Sequence, residues 1–294
     1  MTGLSGPKDE FVEVNGLRLH YRDWGGSGRP VVLLHGLAST SHIWDLVAPL
    51  LSQDHAVVAL DQRGHGESDK PDEGYDFATV GSDLQGFIHA LELERPVLAG
   101  HSWGGDVALE HAVAYPGTAS GLALVDGGTI EISSSIRSTL EEAKKVMAPP
   151  DFRGTTIDEF VGMVRSRPFA VEMTDTIEQI VLSNFEVLDD RTIRARLSRR
   201  NHMQIIEAFW NHRPSELYAS VRCPVLLMPA RQPNEQIPQA AMGFDREEAI
   251  SNASRLLPVS ETVWLEDSIH DVPIQRPELV ASVISERIEG GFLG

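Results

Sequence analysis

The sequence predicts an α/β protein, a mostly parallel sheet with helices on both faces, and three observations predict it. Short continuous apolar runs recur at Val31–Leu34, Ala56–Leu60, Val97–Ala99, Leu122–Val125 and Val225–Met228, as strands buried on both faces require. Helical patterns alternate with the first of these runs. Between Glu131 and Tyr218 the strand rhythm stops and helical segments take over, which reads as an insertion between two sheet strands.

In chain order, Phe11–Val14 and Leu17–Tyr21 flank Asn15-Gly16, a strong β-hairpin signal. After the strand at 31–34 come His35-Gly36-Leu37 and a helix expected over His42–Leu51. The strand at 56–60 runs into a polar loop, Asp61-Gln62-Arg63-Gly64-His65-Gly66-Glu67-Ser68-Asp69. A helix over Asp76–Leu91 follows, its stripe formed by Val80, Leu84, Phe87, Ile88 and Leu91. Within the insertion the sequence predicts helices near 132–147, 156–166, 174–188 and 191–211, and no strand. A strand at Thr262–Leu265 and a helix at Pro277–Ile288 close the chain. The expected organisation is a first core segment at 1–128, a helical cap or lid at 129–218, and a second core segment at 219–294. A lid is expected because open α/β sheets bind ligands at the strands' C-terminal edge.

The chain has 294 residues, with 25 Lys and Arg against 43 Asp and Glu, a formal charge of −18. That charge argues against nucleic acid and anionic lipid as partners, and a small molecule is the expected one. No apolar run approaches the ~20 residues of a membrane span. The N-terminus lacks the layout of a signal peptide, and Cys223 is the only cysteine, so a cytoplasmic location is expected. Metal binding is not expected: there is no H-E-x-x-H and no cysteine pair.

The chemistry concentrates at Gly100-His101-Ser102-Trp103-Gly104-Gly105, a G-x-S-x-G match between an apolar strand and a helical pattern. In that setting the serine stands on a sharp strand-to-helix turn, its hydroxyl exposed above the N-terminus of the next helix. A serine hydroxyl needs a base, and the base needs an acid to hold its tautomer. Of 11 histidines, His270 lies late in the chain on a loop just past the 262–265 strand, where the order Ser…acid…His predicts the base. Two acids remain open. Asp126 ends the apolar run 122–125, where a carboxylate needs hydrogen-bond partners; Glu235 lies in the loop after 225–228. Asp126 is preferred, and Asp271, adjoining His270, is a poor candidate. The oxyanion donors expected are the backbone N–H groups of Leu37 and Trp103. His35 is expected to brace its loop, Arg63 to pair with Asp61 or a carbonyl, and His101 to pack on a neighbouring strand. His35, Trp44, Trp103, Phe169, Met203, Phe209 and Trp210 are candidate pocket residues.

These motifs resemble the α/β-hydrolase superfamily in its cap-bearing branch: HGL at 35–37, DQRGHGESD at 61–69, GHSWGG at 100–105, VDGG at 125–128 and SIHDVPIQRP at 268–277. The resemblance implies acyl transfer to water on Ser102 and His270, on a carboxylic ester or lactone, with no cofactor. The family's usual aspartate after the strand 225–228 is missing. Haloalkane dehalogenases and zearalenone-type lactonases place the acid one strand earlier, which Asp126 matches. Dehalogenases and epoxide hydrolases carry aspartate where this chain has Ser102. The same scaffold also serves C–C bond hydrolases, which would want an arginine such as Arg165, Arg167 or Arg196 facing Ser102. It serves proline-releasing aminopeptidases, which would want lid carboxylates such as Glu172, Glu178 or Glu186, as well as perhydrolases and non-catalytic ligand receptors.

Overall fold

The computed structural model describes residues 6–135, 139–166, 171–231 and 245–294. Eight strands form one sheet: β1 (Lys8–Val14), β2 (Leu17–Gly25), β3 (Pro30–Leu34), β4 (Ala56–Leu60), β5 (Val97–His101), β6 (Gly121–Val125), β7 (Val225–Met228) and β8 (Ser260–Thr262). Their spatial order is β1-β2-β4-β3-β5-β6-β7-β8. The hairpin β1–β2 is antiparallel and joins β4 antiparallel; every later pairing is parallel. The chain therefore reverses its direction of travel across the sheet next to β3, and the loops after β3 and β5 meet there.

Strand alternation divides the core in two. Val32, Leu34, Leu98, Leu122, Leu124 and Leu227 face α1 (Phe77–Ala90) and α2 (Trp103–Ala114). Val31, Leu33, Val97, Ala99, Val125 and Met228 face the other way, onto Trp44 and the closing helix Pro277–Glu289. Continuous apolar runs are what two buried faces demand. Asp76 caps α1 through the Thr79 N–H, ending the polar loop that precedes it.

Several sequence-based boundaries are corrected. The helix expected over His42–Leu51 is a 3-10 turn at Ser41–Trp44 and a short helix at Ala48–Leu51; Pro49 has no N–H to continue the first into the second. The helices expected at 174–188 and 191–211 give way to Asp175–Leu182, an antiparallel hairpin of Phe185–Val187 with Ile193–Ala195, and α3 (Arg199–Asn211). The hairpin forms because Asp190 accepts from the Thr192 N–H and hydroxyl beside Arg191 at φ 63°, a turn that breaks the helix. The strand expected at 262–265 splits into β8 and a bridge at Leu265–Glu266, which pairs with Ala230–Arg231. A helix not anticipated from the sequence, α4 (Arg246–Leu256), lies between β7 and β8.

The segment between β6 and β7 carries its own apolar cluster, in which Phe160 packs against Phe152 and Phe185. Ile132, Leu197, Ile205 and Phe209 join the segment to the main core, and polar contacts tie it to the sheet's loops. Thr40 and Ser183 share a hydroxyl bond at 2.7 Å, and the Asn201 amide donates to the Tyr75 hydroxyl and the Pro71 carbonyl. At its root His212, with no exposed side-chain surface, lies between Asp106 and Glu110 at 3.1 Å each and stacks on Phe77. Burial pulls the His212 pKa down, but the two carboxylates outweigh it and push it up to about 9. Because the folded pKa exceeds the ordinary 6.5, this contribution is complete below pH 6.5 and is lost as pH rises through about 9. Urea unfolding of the wild type is expected to lose on the order of 3 kcal/mol across that window, whereas His212→Gln is less stable at pH 6.5 and nearly flat; parallel curves for the two proteins would refute the assignment.

Candidate active site

Strand β5 is buried along its whole length and ends at His101; α2 begins at Trp103. The single residue between them, Ser102, is forced to φ 51° and ψ −124°, a conformation that l-residues avoid. Neighbouring strands hold it there. The Ser102 N–H donates to the Val125 carbonyl at 3.0 Å, and the Gly105 N–H donates to the Ser102 carbonyl at 2.8 Å. Two glycines are required by close approach: a Cβ on Gly100 would lie 2.2 Å from the Gly104 carbonyl oxygen, and one on Gly104 2.5 Å from that of Leu34.

Asp126 follows β6 directly, at φ 46°, with its N–H bonded to the Met228 carbonyl. Its side chain is 2% exposed. One carboxylate oxygen, Oδ1, accepts from the Ala230 N–H at 3.0 Å and contacts the Arg246 guanidinium. The other, Oδ2, accepts from His270 Nδ1 at 2.6 Å. Burial alone would raise the Asp126 pKa, but these donors and the positive charges on His270 and Arg246 hold it below the usual carboxylate value.

With Nδ1 donating to Asp126, His270 presents a lone pair at Nε2, 3.0 Å from Ser102 Oγ. Desolvation pulls the imidazole pKa down, yet the hydrogen bond and charge of Asp126 outweigh it and leave it above 6.5. Thus the structure brings together Ser102, His270 and Asp126, which lie 168 and 144 residues from one another along the chain. Asp271 takes no part: it begins the short helix Val272–Gln275 as its N-cap.

His101 differs from expectation. Its Nε2 donates to the His270 carbonyl at 2.8 Å, its ring lies 4.9 Å from the His270 ring, and burial drops its pKa to about 4, so it acts as a neutral brace on the histidine loop. His35 braces its own loop: Nδ1 donates to the Gly36 carbonyl and Nε2 accepts from the Gln62 N–H. Among the described residues no acceptor is found for the Leu37 N–H, and Trp103, first residue of α2, has no intrahelical acceptor for its own. Arg63 pairs with Asp83 of α1 at 2.6 and 3.0 Å rather than with Asp61. Asp61 instead takes His20 and the N–H groups of Ser41 and Glu67.

The pocket assignments need correction. Trp44 has no exposed surface and belongs to the core beneath the opposite sheet face. The Trp103 side chain is equally buried, its ring 5.3 Å from that of His65, so only its backbone can meet a substrate. Phe209 packs edge-on against Phe77 in the core, and buried His35 is occupied by its two hydrogen bonds. Met203 and Trp210 are half-buried, Trp210 against the core. Glu235 and Phe169 lie outside the described residues. Arg246 was missed. The signal that was readable is Asp245 followed by Glu248, a helix start that the Asp245 cap confirms; that its first residue reaches Asp126 was not.

The sequence matches the alpha/beta hydrolase family over residues 31–283. A soluble epoxide hydrolase of Corynebacterium sp. (strain C12) is 40% identical over 99 residues, 34% of this chain and 34% of that protein. A non-heme chloroperoxidase of Streptomyces lividans is 40% identical over 114 residues, 38% of this chain and 41% of that one. An uncharacterized protein of Mycobacterium tuberculosis matches 36% of its own length, so the likeness spans only about a third of the curated relatives. Among solved structures, E-2-(acetamidomethylene)succinate hydrolase superposes with a TM-score of 0.78 at 23% identity, over 96% of this chain and 99% of that one. An esterase from Exiguobacterium antarcticum gives 0.72 at 20% identity, over 96% and 100%. At such identities the superpositions speak for the fold alone, and the family match, covering most of the chain, makes this protein a member of the α/β hydrolase family.

Proposed function

We propose that this protein is a serine hydrolase that cleaves a small-molecule carboxylic ester or lactone through an acyl-enzyme on Ser102. The observation that carries the reading is the linear relay Asp126 Oδ2–His270 Nδ1 at 2.6 Å and His270 Nε2–Ser102 Oγ at 3.0 Å. Ser102 Oγ adds to the acyl carbon while its proton passes to His270 Nε2; Asp126 stabilises the imidazolium. The Leu37 and Trp103 N–H groups hold the oxyanion. As the intermediate collapses, the C–O bond to the alcohol breaks and His270 returns the proton to it. Water then adds to the ester on Ser102 by the same route in reverse and releases the acid. No step calls for a cofactor.

The identity of the nucleophile separates this reading from those the relatives' names invite. An epoxide hydrolase or dehalogenase attacks an alkyl carbon. A serine doing so would be left as an ether, which water cannot cleave by adding to a carbonyl. Serine fits acyl substrates, whose product on Oγ is an ester. Four of the six side chains that would cue the other acyl-type readings, Arg165, Arg196, Glu178 and Glu186, are engaged in ion pairs. Arg165 pairs with Glu178 and Arg196 with Glu67; Glu186 pairs with Arg194 on the surface. Arg167 lies outside the described residues. In this reading residues 129–218 act as a cap over the sheet's edge, with 1–128 and 219–294 forming the core.

Two outcomes are expected from p-nitrophenyl esters of rising chain length and a set of lactones. Ser102→Ala and His270→Ala lower kcat/KM on the order of 10⁴-fold or more, as loss of a nucleophile or its base does; equal rates in wild type and Ser102→Ala would end the proposal. Because His270 must be neutral to accept the proton and its pKa is raised, kcat/KM climbs with pH along an acid limb with its midpoint above pH 6.5. A midpoint well below 6.5 would mean that Asp126 does not support His270 in solution.

A further inference from the structure

Beyond the three residues of the relay, Asp126 has a fourth neighbour that the proposed reaction does not use. Arg246 is the first residue of α4, and its guanidinium contacts Asp126 Oδ1, on the far side of the carboxylate from His270. The carboxylate is thus held at both oxygens: Arg246 and the Ala230 N–H on Oδ1, His270 on Oδ2. Leu124, Ile130, Leu227 and Ile250, with Thr129, line the space beside the pair, and the Asp126 side chain is nearly fully buried, so the pair is partly shielded from solvent.

We propose that Arg246 is a positioning residue of this site: it fixes the Asp126 carboxylate with Oδ2 turned to His270 and cancels part of the negative charge that the imidazole faces. The inference rests on the reading of Ser102, His270 and Asp126 given above. Two consequences follow from elementary electrostatics. A carboxylate clamped on Oδ1 cannot rotate away from the imidazole when Ser102 delivers its proton. A carboxylate already sharing its charge with a guanidinium stabilises the imidazolium less, so His270 stays a free base at lower pH. The other charged or titratable groups facing His270 are Asp271, next to it in sequence, and the neutral ring of His101. Neither touches Arg246's side of the carboxylate. Arg231 of the neighbouring loop is engaged with Glu247 and Glu266 and does not substitute for it.

The test compares wild type with Arg246→Met, Arg246→Gln and Arg246→Lys, each checked for folding by circular dichroism. In Arg246→Met and Arg246→Gln the acid limb of kcat/KM for p-nitrophenyl butyrate is expected to move up by about one pH unit. The plateau kcat is expected to fall about tenfold with KM nearly unchanged, because the loss is in the transition state rather than in binding. Arg246→Lys, which keeps the charge, is expected to hold the limb near its wild-type position. The same upward shift is read without substrate from the NMR titration of the His270 ring. If that titration is unmoved in folded Arg246→Met and Arg246→Gln, the role assigned to Arg246 is wrong whether or not esters are cleaved. If it moves while wild type shows no Ser102-dependent turnover, the hydrolase reading fails and the positioning role stands.

Discussion

Everything at the candidate site depends on one backbone conformation, Ser102 at φ 51° and ψ −124°. Left to itself, such a conformation costs about 1–3 kcal/mol and would relax. Here it cannot, because the strand before it is paired on both sides, to β3 and to β6, and the helix after it packs into the core. The glycines at 100 and 104 let strand and helix approach closely enough to keep the bend. Strain is not confined to the serine. Ala38, Asp126 and Asp267 also take positive φ, at 58°, 46° and 55°. One follows the candidate oxyanion loop, one is the candidate acid and one begins the loop that carries His270. Among the described residues these and Ser102 are four of the eight non-glycine positions with positive φ; the other four, Asn15, Glu92, Arg95 and Arg191, lie away from the site.

Buried carboxylates hold these loops in register. Asp61 gathers His20 and the backbone of Ser41 and Glu67, tying the loops after β3 and β4 to β2. Asp106 ties His212 to the Gly128 N–H, so both ends of the insertion meet the elbow helix. Asp126 joins the ends of β6 and β7 to the histidine loop and α4. A chain with a formal charge of −18 has acids to spare on its surface. These three are buried and each is met by donors; those around Asp61 and Asp126 hold the carboxyl below the usual range, while burial leaves that of Asp106 raised. Removing one donor from such a group leaves the rest uncompensated, which is why His212 and Arg246 carry weight out of proportion to one hydrogen bond.

The sheet was legible in the sequence because a strand buried on both faces leaves a local trace, four or five apolar residues between polar loops. The elbow and His270 were legible because the topology dictates where each falls along the chain. Asp126 was readable as an aspartate closing an apolar run, which needs a partner whatever that partner is. Arg246 left no such trace, since its contact joins the start of one helix to the end of a strand 120 residues earlier. Trp44, Trp103 and Phe209 were misread because an aromatic near a motif looks the same in sequence whether it lines a pocket or fills a core. The hairpin at 185–195 was hidden by Asp189-Asp190, equally compatible with a break between helices.

The insertion is attached to the rest of the protein by both apolar and polar contacts. Phe152, Phe160 and Phe185 cluster within it, while Ile132, Leu197, Ile205 and Phe209 join the main core, and hydrogen bonds and ion pairs, Thr40 with Ser183, Glu67 with Arg196, Tyr75 with Asn201, tie it to the sheet's loops. Strands β3, β5 and β6 are covered by α1 and α2 on one face and by the closing helix on the other, and the insertion's buried apolar residues extend the first of these layers. Its apolar residues outside that shared core, such as Phe152 and Phe185, are therefore freer to change than Ile205 or Phe209, which pack in the core that carries Trp103. At its root it is also fastened by buried His212, held between Asp106 and Glu110 of α2. The geometry of Ser102, His270 and Asp126 itself is held by groups the insertion does not supply, the paired strands β5 and β6, the Ala230 N–H and Arg246.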